Sequence, residues 1–555
     1  MAVDSEHALA RAMPARWLLA AIAVVVALGA LLGNGGDRPL EEHEVFVART
    51  AVEMQRSGDW LVPHFNGELR LEKPPLAYWT AIAAHKIVGA HDTLQVGEFE
   101  ARLTAALSGL ALIAVTWALA FATFRDRRAA FAAAAIWATS AGFFGYTHNA
   151  RPEMLYALFT ASAMLGFVRL ANGDGRATTN ALAAWSCVAL AMLAKGPFMP
   201  LFALAGVILA SVLHRRRERA SLSLAANLRP WIGVALVLAS SGAYFAYVAS
   251  QVPGALDFWR EQMFHRTAGG SERGSWTELL TLPYLFSTPA MLAPWLFFIP
   301  FAVLLAWRTH SLAVRYQACA FAVAIVCLSF SRNGHGYYTL PVLPFACSLM
   351  GGAAVEWLDR RRASEAGSRK IALALAVHVG LALFGALAVL VGVFSKFSQP
   401  TPAGRVACVA FAALALVAGL AAWRARTRVE ASFAHLSLSL ALSIAAIAAG
   451  NVGWERDRYT KAEFAKEVAR VVPATLAIAS TNEGRELVIY YGDRTVDEVG
   501  FRELDHFIGA HPGALVMTRR GELAKRNLAA REVLAEDAQP GRDPLVLVEL
   551  TAVQR

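Results

Sequence analysis

Charged residues are scarce in this chain. They make up 17% of its 555 residues, against about 25% in a soluble protein of this size. That shortage argues against a wholly soluble protein. Cysteine is sparse too: Cys187, Cys319, Cys327, Cys347 and Cys408 lie within or beside apolar runs, and no two form a CxxC pair. This argues against a disulfide framework and against a cysteine-based metal site. No internal repeat and no low-complexity segment beyond Ala/Leu-rich stretches is visible, and no convincing small-residue cleavage site follows the first apolar run. That run therefore reads as an uncleaved first helix.

What the chain has in abundance is apolar sequence, 56% hydrophobic residues with mean hydropathy +0.43. A helix of about 18 or more apolar residues can cross a hydrocarbon core. Thirteen spans are expected, near 17–34, 101–124, 129–146, 153–171, 180–194, 197–213, 230–250, 283–306, 316–331, 337–356, 371–394, 405–423 and 433–451. The two around 180–213 are separated only by Lys195-Gly196-Pro197. The net charge of +10 would raise nucleic-acid binding in a soluble protein. Here the arginines gather in alternate short loops: Arg125/Arg127/Arg128, Arg169/Arg176, Arg215–Arg219, Arg308/Arg315, Arg360–Lys370 and Arg424/Arg426/Arg428. The positive-inside rule makes these loops cytoplasmic, with a cytoplasmic N-terminus and an outer C-terminus. The expected location is a bacterial inner membrane.

Residues 1–453 then form a transmembrane domain and 454–555 an extracytoplasmic α/β domain. Two outer segments interrupt the spans, 35–100 and 251–282. Within the first, 44–56 and 76–89 suit helices lying in the interface. In the tail, a helix at 460–471 precedes short apolar runs at Thr475–Ser480, Glu486–Gly492, Ala514–Thr518 and Leu545–Leu550.

Several polar clusters fall on the outer side. Glu41-Glu42-His43-Glu44 follows the first span; it suits a general base and equally a solvated acidic turn. Lys73 precedes Pro74-Pro75, a stiff non-helical backbone; it suits a phosphate contact and equally a snorkelling interfacial lysine. His148, Asn149, Arg151, Glu153, Lys195, Glu261, His265, Arg266, Arg332, Asn333, His335, Tyr337 and Tyr338 sit at outer span ends. Ionisable groups at membrane depth are costly and usually functional or paired. Their shared side points to one cavity that combines carboxylates with cations, suited to an anionic, phosphate-bearing ligand.

Ser57-Gly58-Asp59-Trp60-Leu61-Val62-Pro63, Glu72-Lys73-Pro74-Pro75 running on to Tyr78-Trp79, Lys195-Gly196-Pro197, Phe264-His265-Arg266 followed by Pro294-Trp295, and Tyr337-Tyr338-x-Leu340-Pro341 together resemble the aminoarabinose transferases of lipid A modification. More broadly they resemble the GT-C membrane glycosyltransferases that include protein O-mannosyltransferases. The likeness runs over essentially the whole chain; its first-loop motifs are specific and the others individually weak.

The resemblance implies an inverting transfer from an undecaprenyl-phosphate-linked sugar. A first-loop carboxylate activates the acceptor hydroxyl, which belongs to a lipid A-type or other lipid, a glycan or a protein, and cations hold the departing phosphate. It implies donor-phosphate contacts from Lys73, Lys195, Arg266 and Tyr338, and further cavity residues at Tyr78, Arg151, Glu153, His265, His335 and Tyr337. It implies no cofactor; the acidic cluster leaves a divalent ion open without requiring one. Ungapped from Ser57, His43 stands where the family has its catalytic Asp, Glu44 on the following Glu, and Phe46 where an arginine is usual. The order of candidate bases is Glu44, Glu42, Glu41, with His43 orienting or replacing the base. These departures put the aminoarabinose donor in doubt. A polyprenyl-lipid flippase is the competing class. It favours paired repeats and broken midplane helices, whereas the polar residues here gather at one face. A structural protein with a partner-binding tail leaves Lys73 without a role.

Overall fold

The computed structural model describes residues 16–35, 38–218, 228–268, 283–330, 335–362, 365–395, 398, 400–452, 456–481, 484–538 and 541–550, with backbone only at 217–218, 263–268, 283, 361–362, 365–368, 370–372 and 456–458. Over the described residues, each of the thirteen expected apolar runs lies on helical structure. Among the described residues, ten helices are long and apolar enough to cross a membrane, and two bent pairs, Arg127–Ala138 with Ala141–Thr147 and Tyr284–Met291 with Trp295–Arg308, bring the number to 12 if each pair is one span. The first run, Arg16–Leu31, has 16 residues, short of the roughly 20 a hydrocarbon core takes. The described residues thus give ten to twelve full-length spans beside the thirteen expected. The chain is a multi-pass membrane protein.

Small residues let the helices approach closely, as packing in lipid requires. A Cβ at Gly206 would collide with the Ala320 backbone, and one at Gly352 would strike the Phe124 ring. The polar loops sort to two ends. At one end Arg125 pairs with Asp174 and Arg128 with Asp126 and Asp359, while the Arg315 guanidinium donates to the His214 ring at 2.7 Å. These residues come from loops expected to be basic.

The opposite end carries the first loop and the tail. The helix Glu42–Ser57 opens on a capping box in which Glu41 and Glu44 exchange side-chain-to-backbone bonds, and ends at Gly58 with φ 72. A two-residue hairpin follows, His64–Phe65 against Glu68–Leu69. Asn66 (φ 59) and Gly67 (φ 77) supply the left-handed turn, and their N–H groups donate to the Glu53 carboxylate at 2.8 and 3.0 Å. Pro75 then starts the helix Leu76–Val88.

In the tail, the helix Arg456–Val471 packs on a five-stranded sheet ordered Asp497–Glu498, Ile478–Ser480, Leu515–Arg519, Leu545–Leu550, Ala530–Ala535. The first two pairings are parallel and the last two antiparallel. The apolar run at 486–492 is a helix, Arg485–Tyr491, rather than a strand. One hydrophobic cluster unites the first loop with the tail: Leu40, Val45, Val52 and Tyr78 share it with Phe464, Val468, Leu487 and Tyr490.

Candidate active site

Four consecutive residues of the acidic motif meet four different surroundings. Glu44 points into the protein and is fully buried. Arg102, from the helix Glu98–Phe124, grips both its oxygens at 2.8 Å, and the N–H groups of Ala150 and Glu41 donate to it at 2.8 and 2.9 Å. The guanidinium and the two N–H donors hold its pKa at about 2, against the raising effect of burial. The residue expected first as a base thus has its lone pairs occupied. Glu42 lies 3.1 Å from the Lys461 ammonium. Glu41 joins the capping box and stands 3.6 Å from Arg151.

His43 is exposed, with its ring 6.1 Å from that of Phe46. Loss of solvent on its protein-facing side, Arg151 and, more weakly, His335 keep its pKa below the ordinary 6.5, against the opposite pull of Glu41 and Glu42. Its imidazole is consequently neutral at pH 7, a state with one ring nitrogen able to accept a proton.

A chain of contacts runs from this motif into the membrane-facing part of the site. Arg151 lies over the Tyr337 ring at 5.4 Å. The Lys195 ammonium sits 5.0 Å from the same ring, 4.9 Å from that of Tyr338 and 2.9 Å from the Glu153 carboxylate. His335 stacks on Tyr337 with centroids 5.1 Å apart. Lys73 and Arg151 both act on the buried Glu153. Beside them opens a cavity of about 630 Å³, lined by Glu72, Lys73, Pro74, Lys195, Arg260 and Tyr338 on its polar side and by Met192, Phe198, Phe202, Phe245, Leu256 and Phe330 on its apolar side.

Local structure fixes these groups. Lys195 ends the helix Ala177–Lys195, and Gly196, at φ 124, lets the chain reverse into the helix from Phe198. The Tyr156 hydroxyl bridges that turn, donating to the Gly196 carbonyl at 3.0 Å and accepting from the Met199 N–H at 2.9 Å. Trp259 donates to the Leu71 carbonyl at 3.0 Å, which ties the helix Ala255–Ala268 to the turn leading into Lys73.

The expected cavity residues divide accordingly. Arg151, Glu153, Lys195, His335, Tyr337 and Tyr338 come together with Glu41, His43 and Lys73. Tyr78 does not line the cavity; it is buried in the cluster shared with the tail, near Arg70. The side chains of His265 and Arg266, and residues Arg332 and Asn333, lie outside the described residues. His148 is a core residue, bonded to the Leu32 and Phe144 carbonyls. At the position where an arginine is usual, Phe46 instead carries the Arg70 guanidinium 3.9 Å over its ring. Sequence reasoning missed Arg102, whose signal was a cation following Glu98 and Glu100 at the head of an apolar run, and Tyr156, within an apolar helix. Among the described residues, no three His, Cys, Asp or Glu side chains gather in a group able to hold a metal ion.

Residues 72–243 match the family model described as dolichyl-phosphate-mannose-protein mannosyltransferase. A protein of Pseudomonas fluorescens named undecaprenyl phosphate-alpha-4-amino-4-deoxy-L-arabinose arabinosyl transferase 2 is 28% identical over 394 residues, 67% of this chain and 61% of the relative. This chain thus matches about six tenths of that relative's length. The crystal structure of ArnT from Cupriavidus metallidurans bound to undecaprenyl phosphate superposes with TM-score 0.71 at 19% identity, covering 96% of this chain and 97% of that one. The oligosaccharyltransferase of Archaeoglobus fulgidus follows at TM-score 0.53 and 14% identity, over 91% of this chain and 69% of that one. The fold is thus similar to that of the ArnT structure. In sequence the chain is similar to proteins named undecaprenyl phosphate-alpha-4-amino-4-deoxy-L-arabinose arabinosyl transferase.

Proposed function

We propose that this chain is an inverting glycosyltransferase that moves a sugar from undecaprenyl phosphate to a lipid A-type or other envelope acceptor at the periplasmic face of the bacterial inner membrane, with its N-terminus in the cytoplasm and its C-terminal domain outside. The observation that carries the reading is the unbroken chain Glu41–Arg151–Tyr337–Lys195, which joins the first-loop motif to a cavity with an apolar wall and lysines at its polar side. An apolar wall suits a polyprenyl tail. Lys73 and Lys195 suit the phosphate, which leaves as a monoester dianion. The P. fluorescens relative carries the name of such a transferase, and the ArnT structure holds undecaprenyl phosphate.

In the transfer, the acceptor oxygen bonds to the anomeric carbon as the bond from that carbon to the phosphate oxygen breaks. The hydroxyl proton passes to the protein. His43 is the preferred proton acceptor, because Glu44, Glu42 and Glu41 are each engaged with a cation. Glu41 and Glu42 then stabilise the imidazolium that forms. The test is incubation of purified protein with undecaprenyl-phosphate-linked sugars and envelope fractions, read by mass spectrometry of lipids, glycans and proteins. Transfer that disappears in Lys73→Ala supports the reading. A wild-type protein that leaves every lipid-linked sugar intact rejects it.

A further inference from the structure

The tail is more than a neighbour of the first loop. Its residues reach the acidic motif and the backbone that carries it. The Tyr491 hydroxyl accepts the Leu40 N–H at 3.0 Å and donates to Glu98 at 3.0 Å. Glu98 opens the helix that supplies Arg102, and Arg102 in turn holds the Arg38 and Pro39 carbonyls at 2.6 and 2.9 Å. Residues 38–40 are thus fixed from both sides immediately before Glu41. Lys461 supplies a cation 3.1 Å from Glu42. Around these contacts the docking is continuous. Asn66 exchanges two 3.0 Å bonds with the Val496 backbone, Tyr490 donates to the Val96 carbonyl at 2.7 Å, and Arg49 and Arg56 both pair with Asp493.

We propose that the C-terminal module is a working part of the first-loop site, in which Lys461 and Tyr491 are positioning residues: Lys461 sets the charge next to His43, and Tyr491 sets the backbone on which Glu41–His43 stand. This rests on the reading of the motif as the proton-accepting part of a transferase. His43 is faced by Glu41 and Glu42 from its own segment, by Arg151 from the 148–153 turn and by His335. Glu42 is faced by Lys461 and by Glu486. Lys461 offsets the negative charge that Glu42 presents to the imidazole. Without it, that charge acts more strongly and favours the protonated ring.

The direct test measures His43 itself. The full chain in lipid nanodiscs is treated with diethyl pyrocarbonate across about pH 5 to 8, and the modified peptide is quantified by mass spectrometry. Lys461→Met should move the His43 midpoint up by about half a unit, and Lys461→Arg should restore it. A midpoint unchanged in Lys461→Met overturns the charge role. Tyr491→Phe removes one oxygen atom and should lower kcat about tenfold while the KM for the lipid-linked donor stays within about twofold; unchanged kcat overturns the backbone role. If His43→Asn keeps wild-type turnover, the assignment of the proton acceptor fails, whereas the midpoint shift still reports whether the tail acts on the motif.

Discussion

A base needs a lone pair that is free when the substrate arrives, and this requirement separates four side chains that are adjacent in sequence. His43→Asn should abolish transfer while leaving the thermal unfolding temperature within a few degrees. In the wild type, the lowered His43 pKa places the loss of activity on the acid side: turnover should stay level above pH 6.5 and fall only as pH drops through the lowered value. A pH–rate profile checks both. Glu44→Gln should behave differently, because it leaves the buried Arg102 charge without its partner. A cost of about 3 to 5 kcal/mol is expected, visible as lower unfolding temperature and poor membrane yield rather than as a selective loss of kcat. The pH dependence has the matching sign. Glu44 titrates at about 2 in the folded protein against 4.5 ordinarily, so its stabilisation is full above pH 4.5 and is lost as pH falls towards 2. Sequence alone ranks Glu44 first because spacing along the chain carries no trace of a partner 58 residues away. The departure of His43 from the family pattern was legible; its freedom from the ion pairs that occupy its neighbours was not.

At the scale of elements, periodic apolar runs were the readable part. Helices stand at both interfacial positions expected in the first loop, and the alternation of basic loops agrees with the ion pairs that collect Arg125, Arg128, Asp174 and Asp359 at one end. The bends were not readable, since hydropathy averages over the breaks at 139–140 and 292–294. The helix Arg485–Tyr491 was not readable either: a seven-residue apolar segment fits a strand and a buried helical turn equally. Two substitutions probe these elements. Asn66→Ala leaves the Val496 N–H without its partner in a buried contact, while the Val496 carbonyl keeps the Arg485 guanidinium; the cost is about 1 to 3 kcal/mol, and the tail should become more susceptible to limited proteolysis. Gly206→Val drives side-chain atoms into the Ala320 backbone. It should separate the helices Phe198–Glu218 and Leu312–Ser329 and lower the yield of folded protein from detergent.

Across the whole molecule, the division into membrane part and tail is a boundary in composition more than in packing. Phe464, Val468, Leu487 and Tyr490 complete a cluster begun by Leu40, Val45 and Val52. Removal of residues 454–555 should therefore yield a membrane-inserted protein that aggregates and transfers no sugar, rather than a minimal active core. Size-exclusion chromatography and the transfer assay read the two effects.

The clasp between Tyr491 and Leu40 carries an implication for biogenesis. The motif leaves the ribosome early, but the residues that hold it in place are synthesised more than four hundred positions later. On the proposed topology, a nascent chain must thread all its helices and export its last segment before the tail can clasp the first loop. On the proposed function, transfer is thereby silent while the chain is being made, and any molecule truncated during synthesis is born without a functioning centre.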